Sequence, residues 1–313
     1  MKPTPTVFSL RSLAFAACAM AACSAWAARL EVGPGRAYAT IAQASRAARD
    51  GDTVEVQAGD YRGDVAVWTQ RNLTLRAVGG RARLIANGAS AERKAIWVVR
   101  GDNIRIDGFD FSGARVADRN GAGIRFESGR LTVVNSSFVD NENGILTTNN
   151  GQAELVIERS AFRLNGAGDG FSHNLYVGRI AKLTVTDSSF TDARVGHLLK
   201  SRAALNEIHR NRFVDTNTGT SSYELEFPNG GVARVTLNTI RQGPRTQNPN
   251  MVSYGAEGYS WPSNQLVLQD NTLIDDRPSG GVYLRVAPGA RTVVLGGNRL
   301  AGVSSTRAPT ITY

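Results

Sequence analysis

Short runs of alternating apolar and polar residues recur along the chain, and each ends at a large apolar residue. Leu131–Phe138 and Leu183–Phe190, for example, both end on Ser-Ser-Phe. Alternation with a period of two predicts a β-strand with one buried face. The residues that end the runs, which we call the anchors, are Phe111, Phe138, Phe162, Phe190, Phe213, Ile240, Leu273 and Leu300, spaced 27, 24, 28, 23, 27, 33 and 27 residues apart.

A repeat of this length is too short for a β-α-β unit with a full crossover helix, which needs roughly 30 residues or more. Gly, Asn, Asp and Ser fill the breaks between the runs, as expected for turns. We therefore predict one coil of short strands per repeat, stacked so that the anchors form a single inward column. Four asparagines would then form an inward ladder at a turn: Asn211, Asn238, Asn271 and Asn298.

The start of this region has a different pattern. Ala39–Arg49 is amphipathic with a helical period, and Asp50-Gly51-Asp52 ends it before a strand at Thr53–Val56 and the sequence Gly59-Asp60-Tyr61. This order of elements resembles the cap of the pectate-lyase-like β-helix superfamily. The resemblance covers essentially all of residues 28–313. It implies an all-β, single-stranded, right-handed parallel β-helix solenoid with an N-terminal capping helix, but no single chemistry, because that fold hosts lyases, hydrolases, esterases, epimerases and binders.

The first 27 residues are typical of a secretory signal peptide, with basic residues, the apolar run Leu13–Ala22 and the cleavage sequence Ala25-Trp26-Ala27. We therefore divide the chain into a signal peptide at 1–27 and a β-helix domain at 28–313, and expect a periplasmic or secreted protein. Because Met20–Cys23 resembles a lipobox, a lipoprotein anchored at Cys23 is the alternative. Both cysteines lie in this segment, so the mature chain would hold no disulfide.

Charge narrows the choice of partner. The formal net charge is +9, and without the signal peptide 34 basic and 27 acidic residues leave +7. A basic exported protein suits an anionic polysaccharide such as a polyuronate, although arginines scattered over turns would give the same charge. The sequence shows no basic run with interleaved aromatic residues of the kind that indicates nucleic-acid binding. No stretch after the signal peptide is apolar enough to span a membrane. We expect a monomer.

Each repeat holds a second strand between anchors, and three consecutive second strands concentrate scarce residue types. The mature chain has three lysines and three histidines, and Lys200, His173 and His197 all fall here. Parity predicts that some neighbouring side chains share one outward face on consecutive coils. Asn174 would stack with Glu224, and Tyr176 with Lys200 and Glu226. Arg202 lies two residues beyond Lys200 on the same face, and Tyr283 and Arg285 continue this face two coils later.

These groups suit proton abstraction at C5 of a uronic acid, which needs a cation on the carboxylate, a base, and an acid for the leaving oxygen. Lys200 or Tyr176 is the candidate base and Arg202 the carboxylate partner. The Lys/Arg pair resembles those of β-helical alginate and chondroitin lyases, and the two histidines are faintly similar to mannuronate C5-epimerases. The candidate catalytic residues are Lys200, Arg202, Tyr176, His197 and His173, and the candidate substrate-binding residues are Glu224, Glu226, Asn174, Tyr283, Arg285 and Tyr254.

Other interpretations stay open at this point. Lys200 and Glu226 would also form an ordinary cross-strand ion pair, and the histidines would satisfy backbone groups at turns. Glu224 and Glu226, about 7 Å apart on one face, would allow an inverting glycoside hydrolase. The long repeat around Tyr254 predicts a loop that walls the groove or is tucked in. A non-catalytic polysaccharide binder is a third function, no metal ligand is assigned, and calcium is left open.

Overall fold

The computed structural model describes Met1 and residues 27–246 and 248–305. The predicted signal peptide, apart from Met1 and Ala27, lies outside the described residues, and so do Cys18 and Cys23. Over this part of the chain, no helix is both long and apolar enough to cross a membrane.

The strands form a parallel β-solenoid with three faces, as the repeat predicts. One face is a ten-stranded sheet, which we call sheet 1, and the other two belong to a nineteen-stranded sheet, sheet 2, that bends at a corner. Sheet 1 consists of Ala66–Trp68, Ala95–Val99, Ala122–Phe126, Asn143–Thr147, Leu175–Val177, Leu199–Ser201, Leu225–Phe227, Asn250–Tyr254, Gly281–Val286 and Val303–Ser305. The all-β solenoid predicted from the sequence is therefore confirmed.

Sheet 2 runs along the whole solenoid. Its first face consists of Arg29–Val32, Thr53–Arg62, Thr74–Ile85, Ile104–Asp107, Arg130–Val134, Asn150–Glu158, Ile180–Thr186, Leu205–His209, Val232–Thr236, Gln265–Gln269 and Thr292–Gly296. Its second face consists of Phe109–Ser112, Ser137–Val139, Ala161–Arg163, Ser189–Thr191, Arg212–Val214, Thr239–Gln242, Thr272–Asp275 and Arg299–Ala301. The strands Thr53–Arg62 and Thr74–Ile85 are long enough to bend around the corner and contribute to both faces.

The anchors stack in one column on this second face, as predicted, and they are buried from Phe111 to Leu273, whereas Leu300 in the last coil is exposed. Each anchor pairs in register with the next, from Phe111 through Phe138 to Leu300 at the end of the column. Neighbouring phenylalanine rings are nearly parallel, with centroids 4.6 to 4.9 Å apart. Parallel stacking follows from the spacing of adjacent strands, which places identical side chains at about ring-stacking distance.

The asparagine ladder is also present, at the corner of sheet 2. The Asn238 side-chain oxygen accepts hydrogen bonds from the Asn211 backbone and side chain at 2.8 and 3.1 Å. Asn271 and Asn298 repeat this arrangement on the next two coils. These buried amides therefore have partners, which removes the cost of burying unsatisfied polar groups.

The predicted helix is observed at Ile41–Ala47, shorter at both ends than the amphipathic pattern. Thr40 caps its start, and Thr40 and Gln43 form a reciprocal capping box. The Asp64 carboxylate accepts from the backbone N–H groups of Ile41 and Ala42 at 2.6 and 2.9 Å. Ala48 is already extended, which ends the helix before Arg49. Ile41 and Ala44 close the first coil by packing onto the core.

Candidate active-site groove

The outward positions of sheet 1 form one column along the solenoid. Tyr176 pairs with Lys200 and Lys200 pairs with Glu226, so the predicted register of these three is confirmed. The complete column, one residue per coil, is Val67, Val98, Arg125, Leu146, Tyr176, Lys200, Glu226, Ser253 and Arg285. We call it the outward column.

A groove with a volume of about 670 Å³ lies over the middle of this column. Arg125, Leu146 and Tyr176 line it along the column, and Arg202 closes one end. Asn143 and Thr147, at the ends of one sheet 1 strand, also line it, and its remaining lining residues come from turns that border sheet 1: Asp118, Arg119, Asn120, Thr148, Asn149, Asp169, Phe171 and Gly178. The groove is therefore lined mainly by polar and charged side chains.

Arg202 and Tyr176 meet at the end of the groove. Arg202 Nη1 donates to the Tyr176 hydroxyl at 3.1 Å, and its guanidinium lies 5.4 Å from the centre of the Tyr176 ring. The same guanidinium donates through Nη2 to both carboxylate oxygens of Glu257, at 2.8 and 2.7 Å. The Tyr176 oxygen is thus held beside a positive charge, and Glu257 neutralises that charge from the other side.

Lys200 lies between two carboxylates rather than facing the groove freely. Its Nζ is 2.9 Å from Glu226 and 3.3 Å from Glu257, and its side chain is 13% exposed. Glu226 is buried beneath it, so the prediction that Tyr176, Lys200 and Glu226 are all accessible to solvent is wrong for Glu226. Burial alone would raise the pKa of Glu226, but the contact with His197 and the Lys200 charge outweigh it and lower the pKa to about 2.

The two histidines stack under this ion-pair cluster with ring centroids 4.4 Å apart. His173 Nδ1 accepts from the His197 backbone N–H at 3.0 Å, and His197 Nδ1 accepts from the Tyr223 backbone at 3.3 Å. Each neutral ring therefore carries its proton on Nε2, and that of His197 points to Glu226 at 3.1 Å. Burial lowers the pKa of both histidines, which keeps them neutral.

Asn174 and Glu224 do not face solvent, and the parity prediction is wrong for both. Each directly precedes its strand, Leu175–Val177 or Leu225–Phe227, and lies in a turn whose backbone directs the side chain inward. The Asn174 oxygen accepts from the backbone and side chain of Asn165 at 3.1 and 2.8 Å. Alternation holds only within a strand, so it fails at the residue where the turn ends.

Glu224 lies inside the solenoid near Asp215 and Gln242, whose Nε2 is 3.4 Å from a Glu224 oxygen. Burial raises the pKa of Glu224 well above its ordinary value, and the negative charge of Asp215 adds to that rise. Glu224 and Glu226 therefore do not share a face, and the expected inverting pair of carboxylates is wrong.

Two of the predicted substrate-binding tyrosines are core residues. Tyr254 is fully buried, pairs with Phe227 and donates through its hydroxyl to the Gly231 carbonyl. Tyr283 packs in the same core, so its predicted outward placement is wrong, and Tyr254 ends a core strand rather than lying in the predicted loop. Arg285 is exposed at the end of the outward column and lies 3.4 Å from the Tyr223 hydroxyl, as its register predicts.

The loop that follows Tyr254 is folded onto sheet 1. Trp261 Nε1 donates to the Arg202 carbonyl at 3.1 Å, and the Tyr259 hydroxyl donates to the Ala287 carbonyl at 2.7 Å. The guanidinium of Arg179 lies over the Trp261 ring at 4.7 Å. The loop is thus tucked in at its aromatic residues, and it delivers Glu257 to Lys200 and Arg202.

Sequence reasoning missed three residues of this site: Arg125, Arg119 and Glu257. Arg125 occupies the same outward position as Tyr176 two coils earlier, so counting the register toward the amino terminus would have found it. Glu257 and Arg119 lie in loops, where no repeat fixes the position of a side chain. Across the described chain, no three His, Cys, Asp or Glu side chains are grouped so that they could hold a metal ion.

Comparisons with known proteins agree with the fold. Residues 75–213 match a family described as a right handed beta helix region. An alginate lyase from Paenibacillus sp. has a TM-score of 0.55 at 14% identity, over 89% of this chain and 99% of that one. A pectin methylesterase from Aspergillus niger has a TM-score of 0.48 at 15% identity, over 91% and 90% of the two chains.

A pectate lyase, Pel9A, has a TM-score of 0.46 at 12% identity, over 91% of this chain and 81% of that one. No curated protein matches the sequence. At 14% identity, the likeness to the alginate lyase shows the fold alone. The right-handed parallel β-helix fold is confirmed.

Proposed function

We propose that this protein is an exported enzyme that removes the C5 proton from a uronate residue of an anionic polysaccharide, as a lyase or a C5-epimerase. Residues 28–313 form its mature domain in this proposal. The observation that carries it is the Tyr176 hydroxyl held 3.1 Å from the Arg202 guanidinium at the end of the groove. A proton acceptor beside a fixed cation is the pair that this reaction needs.

The lining of the groove supports an anionic substrate. Three arginines line it, Arg119, Arg125 and Arg202, against two acidic residues, Asp118 and Asp169. The alginate lyase that shares the fold is named for a polyuronate. Because one fold hosts many activities, the side chains of the groove support the proposal and that likeness does not.

We assign the base to Tyr176 rather than to Lys200. The Lys200 ammonium group is engaged by two carboxylates, so it offers a positive charge and no free lone pair to the groove. The Tyr176 oxygen lines the groove and accepts a hydrogen bond from Arg202. His197 and Glu226 fix the position of Lys200 and are positioning residues.

The reaction starts when the Tyr176 oxygen takes the C5 proton, and the electrons of the C5–H bond move toward the substrate carboxylate. Arg202, with Lys200 behind it, stabilises the charge that develops there. In the lyase branch the C4–C5 double bond forms, the C4–O bond breaks, and the departing oxygen takes the proton that Tyr176 has removed. In the epimerase branch a water molecule donates a proton to the opposite face of C5, and Tyr176 then returns its proton to the hydroxide that remains. The substrate carboxylate must replace Glu257 on Arg202 in both branches.

The test is to incubate the purified protein with alginate, polygalacturonate and glycosaminoglycans. A lyase gives an unsaturated uronate that absorbs in the ultraviolet, and an epimerase incorporates deuterium at C5 from heavy water without cleaving the chain. Tyr176→Phe should lower the rate by roughly 10²- to 10⁴-fold. Tyr61→Phe is the matched control, because its hydroxyl bonds the Gln57 carbonyl away from the groove. Full activity of Tyr176→Phe would rule out this mechanism.

A non-catalytic binding protein is the second candidate, and the pairing of Lys200 and Arg202 with Glu257 favours it. Cations that are already neutralised would hold a polymer without activating a proton. This alternative predicts that a polyuronate binds in the groove, while neither unsaturation nor deuterium exchange is detected.

A further inference from the structure

Arg125 lies on the strand Ala122–Phe126 and lines the groove two coils before Tyr176. Its Nε is buried and makes no hydrogen bond with any residue that the structure describes. Among the residues that the structure describes, the Arg125 guanidinium also forms no ion pair with a carboxylate. Glu127 is the acidic residue whose charge acts on Arg125, but it already forms ion pairs with Lys94 at 2.8 Å and with Arg100 at 3.1 Å.

The other two groove arginines differ from Arg125 in this respect. Arg202 is held by Glu257 at 2.7 Å, and Arg119 Nε lies 3.5 Å from Asp169. Burial lowers the pKa of Arg125, and the Glu127 charge does not offset that effect. A guanidinium that is half withdrawn from water without a carboxylate partner costs free energy in the free protein. A ligand carboxylate would remove that cost, because its two oxygens match the guanidinium fork.

We infer that Arg125 forms a second anion-binding subsite, which binds the carboxylate of a uronate residue other than the one that reacts. This inference rests on the proposed function and extends it to substrate length and charge. Equivalent positions on adjacent coils are about 4.8 Å apart, so Arg125 lies roughly 10 Å from Tyr176 along the solenoid axis. The bound polymer therefore runs parallel to that axis, from the Tyr176–Arg202 end toward the amino-terminal coils.

Leu146 lies between the two subsites on the outward column and is nearly buried. Its apolar surface suits the C–H face of a sugar ring that links the two charged residues. Asn149 and Thr148 line the same stretch and offer neutral hydrogen-bonding groups. The part of the groove between Arg125 and Arg202 is neutral, and this spacing of two cations favours a polymer whose carboxylates recur along the chain. A neutral or methyl-esterified polymer would leave the Arg125 charge uncompensated.

The test measures binding by calorimetry to mannuronate and galacturonate oligomers of two and six sugars. We use the Tyr176→Phe protein so that no oligomer is cleaved. Arg125→Gln should weaken binding of the hexasaccharide by roughly 10- to 100-fold, as expected for loss of a hydrogen-bonded charge. The disaccharide, which reaches only the Tyr176–Arg202 end, should bind equally well to both proteins. Arg212→Gln, an exposed arginine on sheet 2, is the matched control.

The outcomes separate this inference from the proposed function. If the enzyme turns over polyuronates and Arg125→Gln binds the hexasaccharide as well as its parent, the second subsite is wrong and the function stands. If no turnover occurs but hexasaccharide binding depends on Arg125, the subsite stands and the enzymatic proposal fails. Arg125→Lys keeps the charge without the fork and should bind with intermediate affinity. Should Arg125→Gln not fold, equal affinity of Arg125→Lys and its parent would overturn the subsite.

Discussion

The anchor column and the outward column follow the same 4.8 Å stacking, yet their sequences obey opposite rules. Five phenylalanines succeed one another in the anchor column, from Phe111 to Phe213, with rings stacked in parallel. The outward column never repeats a residue on consecutive coils between Arg125 and Arg285. Its arginine, leucine and tyrosine line the groove, and its lysine and glutamate form an ion pair beside it.

The difference follows from what each column contacts. An interior position meets the same surroundings on every coil, so a residue that packs once packs again on the next coil. An outward position meets solvent and, in the proposed function, a ligand, and stacked like charges would repel each other at about 4.8 Å. Repetition therefore marks stability in this solenoid, and departure from repetition marks the site.

The largest effect that we expect is on stability, from the anchor column. Phe162→Ala removes a fully buried ring stacked between Phe138 and Phe190, and should lower the free energy of unfolding by about 3–5 kcal/mol. Chemical denaturation measures it. Tyr176→Phe on the outward column should change that free energy by less than about 0.5 kcal/mol. A cost below about 1 kcal/mol for Phe162→Ala would show that the two columns do not differ as described.

The second effect is on the pH dependence of stability, and it comes from carboxyl groups buried in the otherwise apolar interior. Asp215 is fully buried, and burial raises its pKa from 3.8 to about 6 despite hydrogen bonds from Ser221 and Thr246. Below pH 3.8 both folded and unfolded states hold this proton. As the pH rises toward 6 the unfolded chain ionises first, so the free energy of unfolding falls by up to roughly 3 kcal/mol and then levels off.

Measuring unfolding from pH 4.5 to 7.5 tests this prediction, since Glu226 titrates below that window. Burial also raises the pKa of Glu224 and Asp275, so all three groups act in the same direction. Asp215→Asn should flatten part of the slope, whereas Asp187→Asn, at an exposed ion pair with Arg210, should leave it intact. His173 and His197, whose pKa values burial lowers, act in the opposite direction in this window, because the unfolded histidines bind protons. The difference between Asp215→Asn and its parent therefore isolates the carboxyl group, and an unchanged slope in Asp215→Asn would contradict a buried, proton-binding Asp215.

A smaller effect on stability comes from the ion pair between Lys200 and Glu226 on the outward column. Lys200→Met leaves Glu226 nearly buried without its ammonium partner, and should cost about 1–3 kcal/mol. Adding Glu226→Gln should restore most of that loss, because the unpaired charge is then gone. Thermal and chemical unfolding of the two single variants and the double variant give the coupling. Additive effects would mean that Lys200 and Glu226 do not depend on each other.

The repeating parts of the fold could be predicted from the sequence because each coil confirms the one before. Eight anchors at similar spacing define the register, and the asparagine ladder follows from Asn211 to Asn298. The prediction failed where strands begin. Asn174 and Glu224 precede their strands by one residue, and a turn directs their side chains inward against the parity of the strand.

The site was predictable only in its repeating half. Tyr176, Lys200 and Glu226 were found by register, and the concentration of scarce lysine and histidine pointed to the same coils. Glu257 was not found, because it reaches Lys200 and Arg202 from a loop more than fifty residues away along the chain. Contacts that cross from a loop to a coil depend on tertiary packing, which a periodic pattern does not encode.

The smallest effect that we expect comes from that loop residue. Glu257 pairs with the Lys200 ammonium and the Arg202 guanidinium, the two cations that the substrate carboxylate would use, and its side chain is 44% exposed. An ion pair with one exposed partner is worth about 0.2–1 kcal/mol, so Glu257→Gln should lower KM for a polyuronate by roughly two- to fivefold and leave kcat nearly unchanged. Steady-state kinetics at low salt measure it, and the difference should shrink as salt screens both competitors. Glu207→Gln, which removes an exposed pair with Arg234 on sheet 2, is the control and should not change KM. A higher KM for Glu257→Gln would mean that Glu257 orients Arg202 for the substrate, and competition between the two carboxylates would then be wrong.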